Sequence, residues 1–142
     1  MARLEFFVVS ESVSVDQQTN RLSLFNIIEQ VASTKFPSVL PAAVAVSMWM
    51  AEAGDDVRDF QCTLRFTLPN GNRHEFASNF KFRARRHRVI QRVEGFPLNE
   101  PGVLRFEVLL NGEYVASHEV DISRIDTKDQ ETTPDKKPTP ET

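Results

Sequence analysis

PGVLRFEVLLNGEYVASHEVDI, residues 101–122, reads as two β-strands folded back on each other about Asn111-Gly112. An Asn-Gly pair tolerates positive φ at both central positions of a type I′ turn, and that turn matches the twist of the flanking strands. Before the turn, Leu104, Phe106, Val108 and Leu110 alternate with Val103, Arg105, Glu107 and Leu109, and the even set is expected to face inward. A strict two-residue loop would set Leu104 against Glu119, a carboxylate beside a buried side chain. The later apolar residues, Val120 and Ile122, lie in the opposite phase to Val115. A bulge near Ser117-His118 is therefore expected, shifting the phase by one residue.

The upstream chain repeats this pattern. Leu4, Phe6 and Val8 oppose Phe7 and Val9, so the first strand is apolar on both faces and should be covered on both. Residues 21–31 are ambiguous: Leu22 and Leu24 alternate, but Leu24, Ile27, Ile28 and Val31 also fit helical spacing. The β-like neighbours and the missing cap favour a strand. Pro37 and Pro41 argue for a crossing connection over 32–41, with Phe36 plugging one end of the core. Residues 42–51, 60–68 and 74–83 alternate as further strands, separated by turns at Gly54 and at Pro69-Asn70-Gly71-Asn72. A phase change near residues 84–87 marks another corner.

About eight short strands with little helical periodicity imply an all-β, antiparallel β-sandwich of the immunoglobulin-like kind; a small β-barrel is the alternative. Residues 1–123 form one domain. Asp126 to Thr142 holds three Pro and eight charged residues and no large apolar one, so residues 124–142 are expected to be a disordered tail. The single Cys, Cys62, rules out an intramolecular disulfide and reads as a small buried hydrophobe. No stretch approaches the roughly 18 apolar residues of a membrane span, and the N-terminal apolar run is too short for a signal peptide. A cytoplasmic location and no membrane contact are expected.

The sequence resembles a bacterial family of small domains of unknown function. The resemblance rests on Asp16, then Arg21-Leu22-Ser23-Leu24-Phe25-Asn26-Ile27, then Phe36-Pro37, and on the final stretch from Gly102 through Phe106 and Val108 to Asn111-Gly112. It implies a compact β-sandwich and a strand over residues 21–31. It brings no activity and no site residues.

No motif specifies a reaction. His74, His87 and His118 have no metal-binding spacing, and neither a nucleophile elbow nor a phosphate loop is present. No cofactor is expected. Glu52, Asp55, Asp56 and Asp59 put four carboxylates in eight residues, but their spacing is not that of an EF-hand, and a solvated turn is the simpler expectation. His118 is expected at the surface opposite Arg105, and Trp49 as partly buried packing.

The conspicuous feature is basic: Lys81, Arg83, Arg85, Arg86, Arg88 and Arg92 are six of the fourteen basic residues before Asp126. As a bland feature they would be a solvated strand face guarding an edge. As a functional one they would be an anion-binding surface. Phe80 and Phe82 interleave with them but should point into the core, so they would offer bases no stacking platform. The expected function is thus a non-catalytic interaction module that binds an acidic protein partner, or assembles with itself, through residues 81–92. A nucleic-acid-binding protein and an enzyme with a dispersed site are the alternatives.

Overall fold

The computed structural model describes residues 1–126. Nine strands make up about two-thirds of it: β1 (Arg3–Val15), β2 (Leu22–Ile27), β3 (Gln30–Ser33), β4 (Ser38–Met50), β5 (Phe60–Thr67), β6 (Arg73–Phe80), β7 (Arg86–Leu98), β8 (Gly102–Leu110) and β9 (Glu113–Arg124). They form two sheets, ordered β2-β1-β4-β7 and β3-β9-β8-β5-β6. Two separate sheets make a sandwich, not the alternative barrel. The β9-β8-β5 and β4-β7 pairings correspond to the G-F-C and B-E pairings of immunoglobulin sandwiches. All pairings are antiparallel except β3 with β9. From residue 127 the expected tail lies outside the described residues. Among those described, no helix is long and apolar enough to cross a membrane.

The β8–β9 hairpin turns as the Asn-Gly pair demands, with φ of 51° at Asn111 and 85° at Gly112. Leu104, Phe106, Val108 and Leu110 are buried, while Val103 on the other face is exposed. The phase slip is real but lies nearer the turn than expected. Leu109 pairs with Tyr114 and Val108 with Ala116, so the extra residue is Val115. Placing the bulge there moves Ala116, His118, Val120 and Ile122 onto the core side as one set. His118 consequently sits opposite Phe106 rather than Arg105, half-buried, with its Nε2 2.7 Å from the Ile28 carbonyl oxygen.

Residues 21–31 are extended, as favoured, but are two strands in different sheets. β2 pairs with β1, whereas β3 runs parallel to β9. Between them Ile28 is buried, and its N–H donates to the Val9 carbonyl. The proline-bearing connection is also shorter than expected. β4 begins at Ser38 and passes through Pro41, its ladder to β7 running from Leu40–Phe96 to Ala42–Glu94. Phe36 does pack against the core, and the Arg124 guanidinium lies 5.0 Å from its ring centroid.

Two apolar groups fill the space between the sheets. One is centred on Val9, Ala45, Leu64, Phe66 and Phe106, the other on Trp49, Phe60, Cys62, Phe80 and Phe82. Trp49 is wholly buried, with its indole N–H donating to Ser47 Oγ at 3.0 Å. Ser47 Oγ in turn lies 3.6 Å from Cys62 Sγ, across the sandwich, which identifies the odd residues of β4 as the inner set. Burial pushes the Cys62 thiol pKa up, as befits a packing residue.

The even residues of β4, Val44, Val46, Met48 and Met50, therefore point outward. Yet Val46 is 0% and Val44 5% exposed. Their cover is the hairpin of β1 and β2. Phe6 pairs with Met48, and Met48 with Arg88. A straight β1 would carry Val15 about 30 Å from Phe6, at roughly 3.3 Å per residue. Asn20, beyond Val15, nevertheless has its carbonyl oxygen 2.9 Å from Arg88 Nη2. The hairpin must fold back over the outer face of the four-stranded sheet. Its half-buried residues, Val13, Leu22 and Leu24, share one face, and the exposed Phe25 and Ile27 lie on the other. The two-sided apolarity of the first strand thus has a cause: an own-chain hairpin covers its outer side. Burying one such Val contributes about 1.5–3 kcal/mol.

Candidate basic interaction site

Six cations close in sequence do not form one face. β6 is an edge of one sheet and β7 an edge of the other, so residues 81–85 are the corner between layers. Lys81, Arg83 and Arg85 lie on that corner, and Arg86, Arg88 and Arg92 are alternate residues of β7 on the outer face. The corner is held from below. Phe80 and Phe82 are buried, and Phe60 stacks on the first and meets the second edge-on. His87 lies parallel to Phe80, ring centroids 4.5 Å apart, and burial lowers its pKa. The two open edges are further joined by Gln91, whose Nε2 donates to the Phe76 carbonyl at 3.2 Å.

The acidic turn sits beside this corner. Glu52, Asp56, Arg83 and Arg85 line one cleft, and Lys81 Nζ is 3.7 Å from Asp59 Oδ1. The carboxylates do not converge on a metal: among the described residues no group of three or more His, Cys, Asp or Glu side chains is so placed. Asp55 is instead fully buried. Its Oδ2 accepts the Glu52 N–H at 2.8 Å, and its Oδ1 is 3.7 Å from the Met1 amine.

The six cations differ in how they are matched. Arg86 grips Glu5 through two bonds, Nε to Oε1 at 2.7 Å and Nη2 to Oε2 at 3.1 Å. This pair holds the Glu5 carboxyl below its ordinary pKa and raises that of Arg86. Glu5 is available because a bulge between Leu4 and Phe6 turns it out of the alternation. Arg88 donates only to neutral oxygens of Asn20, the carbonyl at 2.9 Å and Oδ1 at 3.4 Å. Among the described residues, Arg83, Arg85 and Arg92 make no ion pair. All three are exposed.

Local spacing marked all six cations but none of their partners. Glu5 and Asn20 are 81 and 68 residues from the arginines they meet. The one local signal was Glu5 itself, a carboxylate inside the otherwise apolar run from Leu4 to Val9.

The chain belongs to a family of unknown function (DUF6941), whose model matches residues 5–123. No curated protein matches it. A solved structure of the Pseudomonas fluorescens alkylpurine DNA glycosylase AlkC, bound to DNA containing an abasic site analog, is similar in fold. The TM-score is 0.57 at 12% identity, over 87% of this chain but only 30% of the glycosylase. An immunoglobulin-like protein from Pseudomonas aeruginosa shares 16% identity over 86% of this chain and 96% of that one, with a TM-score of 0.40.

Proposed function

We propose that this domain is a non-catalytic binding module of the cytoplasm that docks an acidic segment of a protein partner on the corner and outer edge carrying Lys81, Arg83, Arg85, Arg86, Arg88 and Arg92. The observation behind this reading is the mismatch in pairing. Among the described residues, three of these cations are exposed with no ion pair, and Arg88 meets only neutral oxygens. Exposed guanidinium groups of this kind steer and orient an anionic partner. The lone, buried Cys62 suits a reducing compartment.

Replacing Arg83, Arg85 and Arg92 together by Glu removes no intramolecular contact named above. The variant should fold with an unchanged melting temperature and lose the partners that co-purify with the wild-type domain. Identical co-purifying proteins from both would sink the proposal.

A second reading has one observation in its favour: the structurally similar glycosylase segment comes from a protein bound to DNA. Against it stand the burial of Phe80 and Phe82, which leaves the corner without an aromatic stacking platform, and the net charge of −3. Salt-dependent retention of an oligonucleotide by the purified domain would favour this reading over the first.

A further inference from the structure

Where the corner joins β7, a cleft of about 490 Å³ opens on the outer face, lined by Asn20, Met48, Ala84, Arg85, Arg86, His87 and Arg88. Its charge is unbalanced. The carboxylate beside it, Glu5, is committed to Arg86 and also feels the positive charges of Arg3 and Arg85. Arg3 for its part donates to Met50 Sδ at 3.0 Å. Three guanidinium groups, Arg86, Arg3 and Arg85, thus act on one carboxylate, and Arg88 lines the same cleft. His87 adds no charge of its own when its pKa is lowered by burial.

Arg88 has a second duty. Its two bonds to Asn20 are what ties the tip of the β1–β2 hairpin to β7. Both acceptors are neutral carbonyl oxygens. A carboxylate adds to such a bond the Coulomb attraction of a full negative charge, which a neutral carbonyl lacks. An anion entering the cleft therefore competes with Asn20 for Arg88. Asn20 itself sits in the left-handed region, φ 61°, a conformation less comfortable for it than for glycine.

Resting on the proposed docking of an acidic segment, we infer that this cleft is the carboxylate-binding subsite, reading an acidic side chain through Arg85 and Arg88. We infer further that its occupation frees the hairpin tip from Arg88. The occupant is an acidic peptide rather than a nucleic acid, because the rings near the cleft, Phe80 and Phe82, are buried and His87 is covered by Phe80. Binding and hairpin release are then linked: what holds the hairpin down competes with the ligand, and each weakens the other by the same factor.

The test uses the full chain and a labelled hexaglutamate peptide, with fluorescence anisotropy for affinity and hydrogen exchange for the hairpin. Arg85→Gln with Arg88→Gln should weaken binding at least tenfold, the loss of one charge-assisted bond. Arg83→Gln with Arg92→Gln, on the docking surface but outside the cleft, should also weaken it, by about threefold, as the loss of rim charges does. Peptide should speed amide exchange over residues 17–24 in the wild type. Asn20→Ala removes the Oδ1 acceptor and is strained at positive φ, so it loosens the latch without removing a cation and should tighten binding by about twofold or more. A purely structural role for Arg88 predicts no change in binding for Asn20→Ala.

Equal losses in the two double variants, or unchanged exchange with bound peptide, would overturn the cleft while leaving the basic corner as the docking surface. No peptide binding by the wild type, at low salt, would overturn both. Tighter binding of a single-stranded oligonucleotide of equal charge would replace the acidic peptide with nucleic acid and overturn the assignment.

Discussion

The two outer faces of this sandwich solve the same problem differently. On the five-stranded sheet, charges of opposite sign alternate across neighbouring strands. Arg65 meets Glu75 at 3.2 Å and Glu107 at 3.4 Å, and Arg105 meets Glu107 at 3.2 Å and Glu119 at 3.4 Å. Three of these four pairs cross strands, and they match the central cations of this face, leaving the exposed Arg73 of its edge strand without an ion pair among the described residues. On the four-stranded sheet the outward residues are mostly apolar and are covered by a folded-back hairpin, while the arginines at its edge outnumber their carboxylates. One face is electrostatically closed and the other is open. A surface with unmatched charge is where a binding function is to be sought.

The comparison breaks most sharply at Val46. It points outward but is fully buried. Val46→Asp should destabilise the domain by about 3–5 kcal/mol, the usual cost of an unpaired buried charge. Val103→Lys, opposite Asp121 on the exposed outer face of the other sheet, should stay within about 0.5 kcal/mol. Urea titration of both measures the difference, and equal effects would mean that the hairpin does not cover Val46.

A smaller effect is expected at the latch. Arg88→Gln removes hydrogen bonds to two carbonyl groups and should cost about 1 kcal/mol. The loss should appear as faster amide exchange confined to residues 17–24. Arg65→Gln, on the closed face, should cost about 0–1 kcal/mol and leave hairpin exchange untouched.

The smallest effect is a pH dependence of the hairpin side alone. Glu5 and Asp16 are both held below their ordinary values, Glu5 chiefly by its bond to Arg86 and Asp16 chiefly by the backbone N–H of Gln18. A carboxyl with a depressed folded-state pKa stabilises the fold above its unfolded value and ceases to as pH falls through its folded one. For Glu5 the unfolded value is near 4.5 and for Asp16 near 3.8. Amide protection in the 16–21 turn, exchange being corrected for its intrinsic pH dependence, should therefore fall from about pH 4.5 downward and be flat between about pH 7 and 8. Glu5→Gln and Asp16→Asn together should abolish this acid loss of protection.

Strand positions and facing were legible because period-two alternation is a local property of the chain. Phe60, Cys62, Leu64 and Phe66 declared their burial directly, as did the even residues of β8. The phase slip in β9 was legible too, since Val115 and Val120 cannot share a face without an extra residue. Its location was not, because any residue between them would serve, and the choice of Val115 lets His118 reach the Ile28 carbonyl. The split of residues 21–31 between sheets left no local trace, for both halves are equally extended. At the candidate site the six cations were visible, but which were matched was not.

What the sequence by itself determined is an all-β chain with its turns at Asn111-Gly112 and Asn70-Gly71, an apolar inner set and one concentrated run of arginine. Tertiary structure alone decided that the run straddles a corner and an edge, that Arg86 belongs to Glu5 and that Arg88 belongs to Asn20. The reason is range. Alternation and turn chemistry depend on residues a few places apart, whereas the pairing of a charge depends on which distant strand is laid beside it.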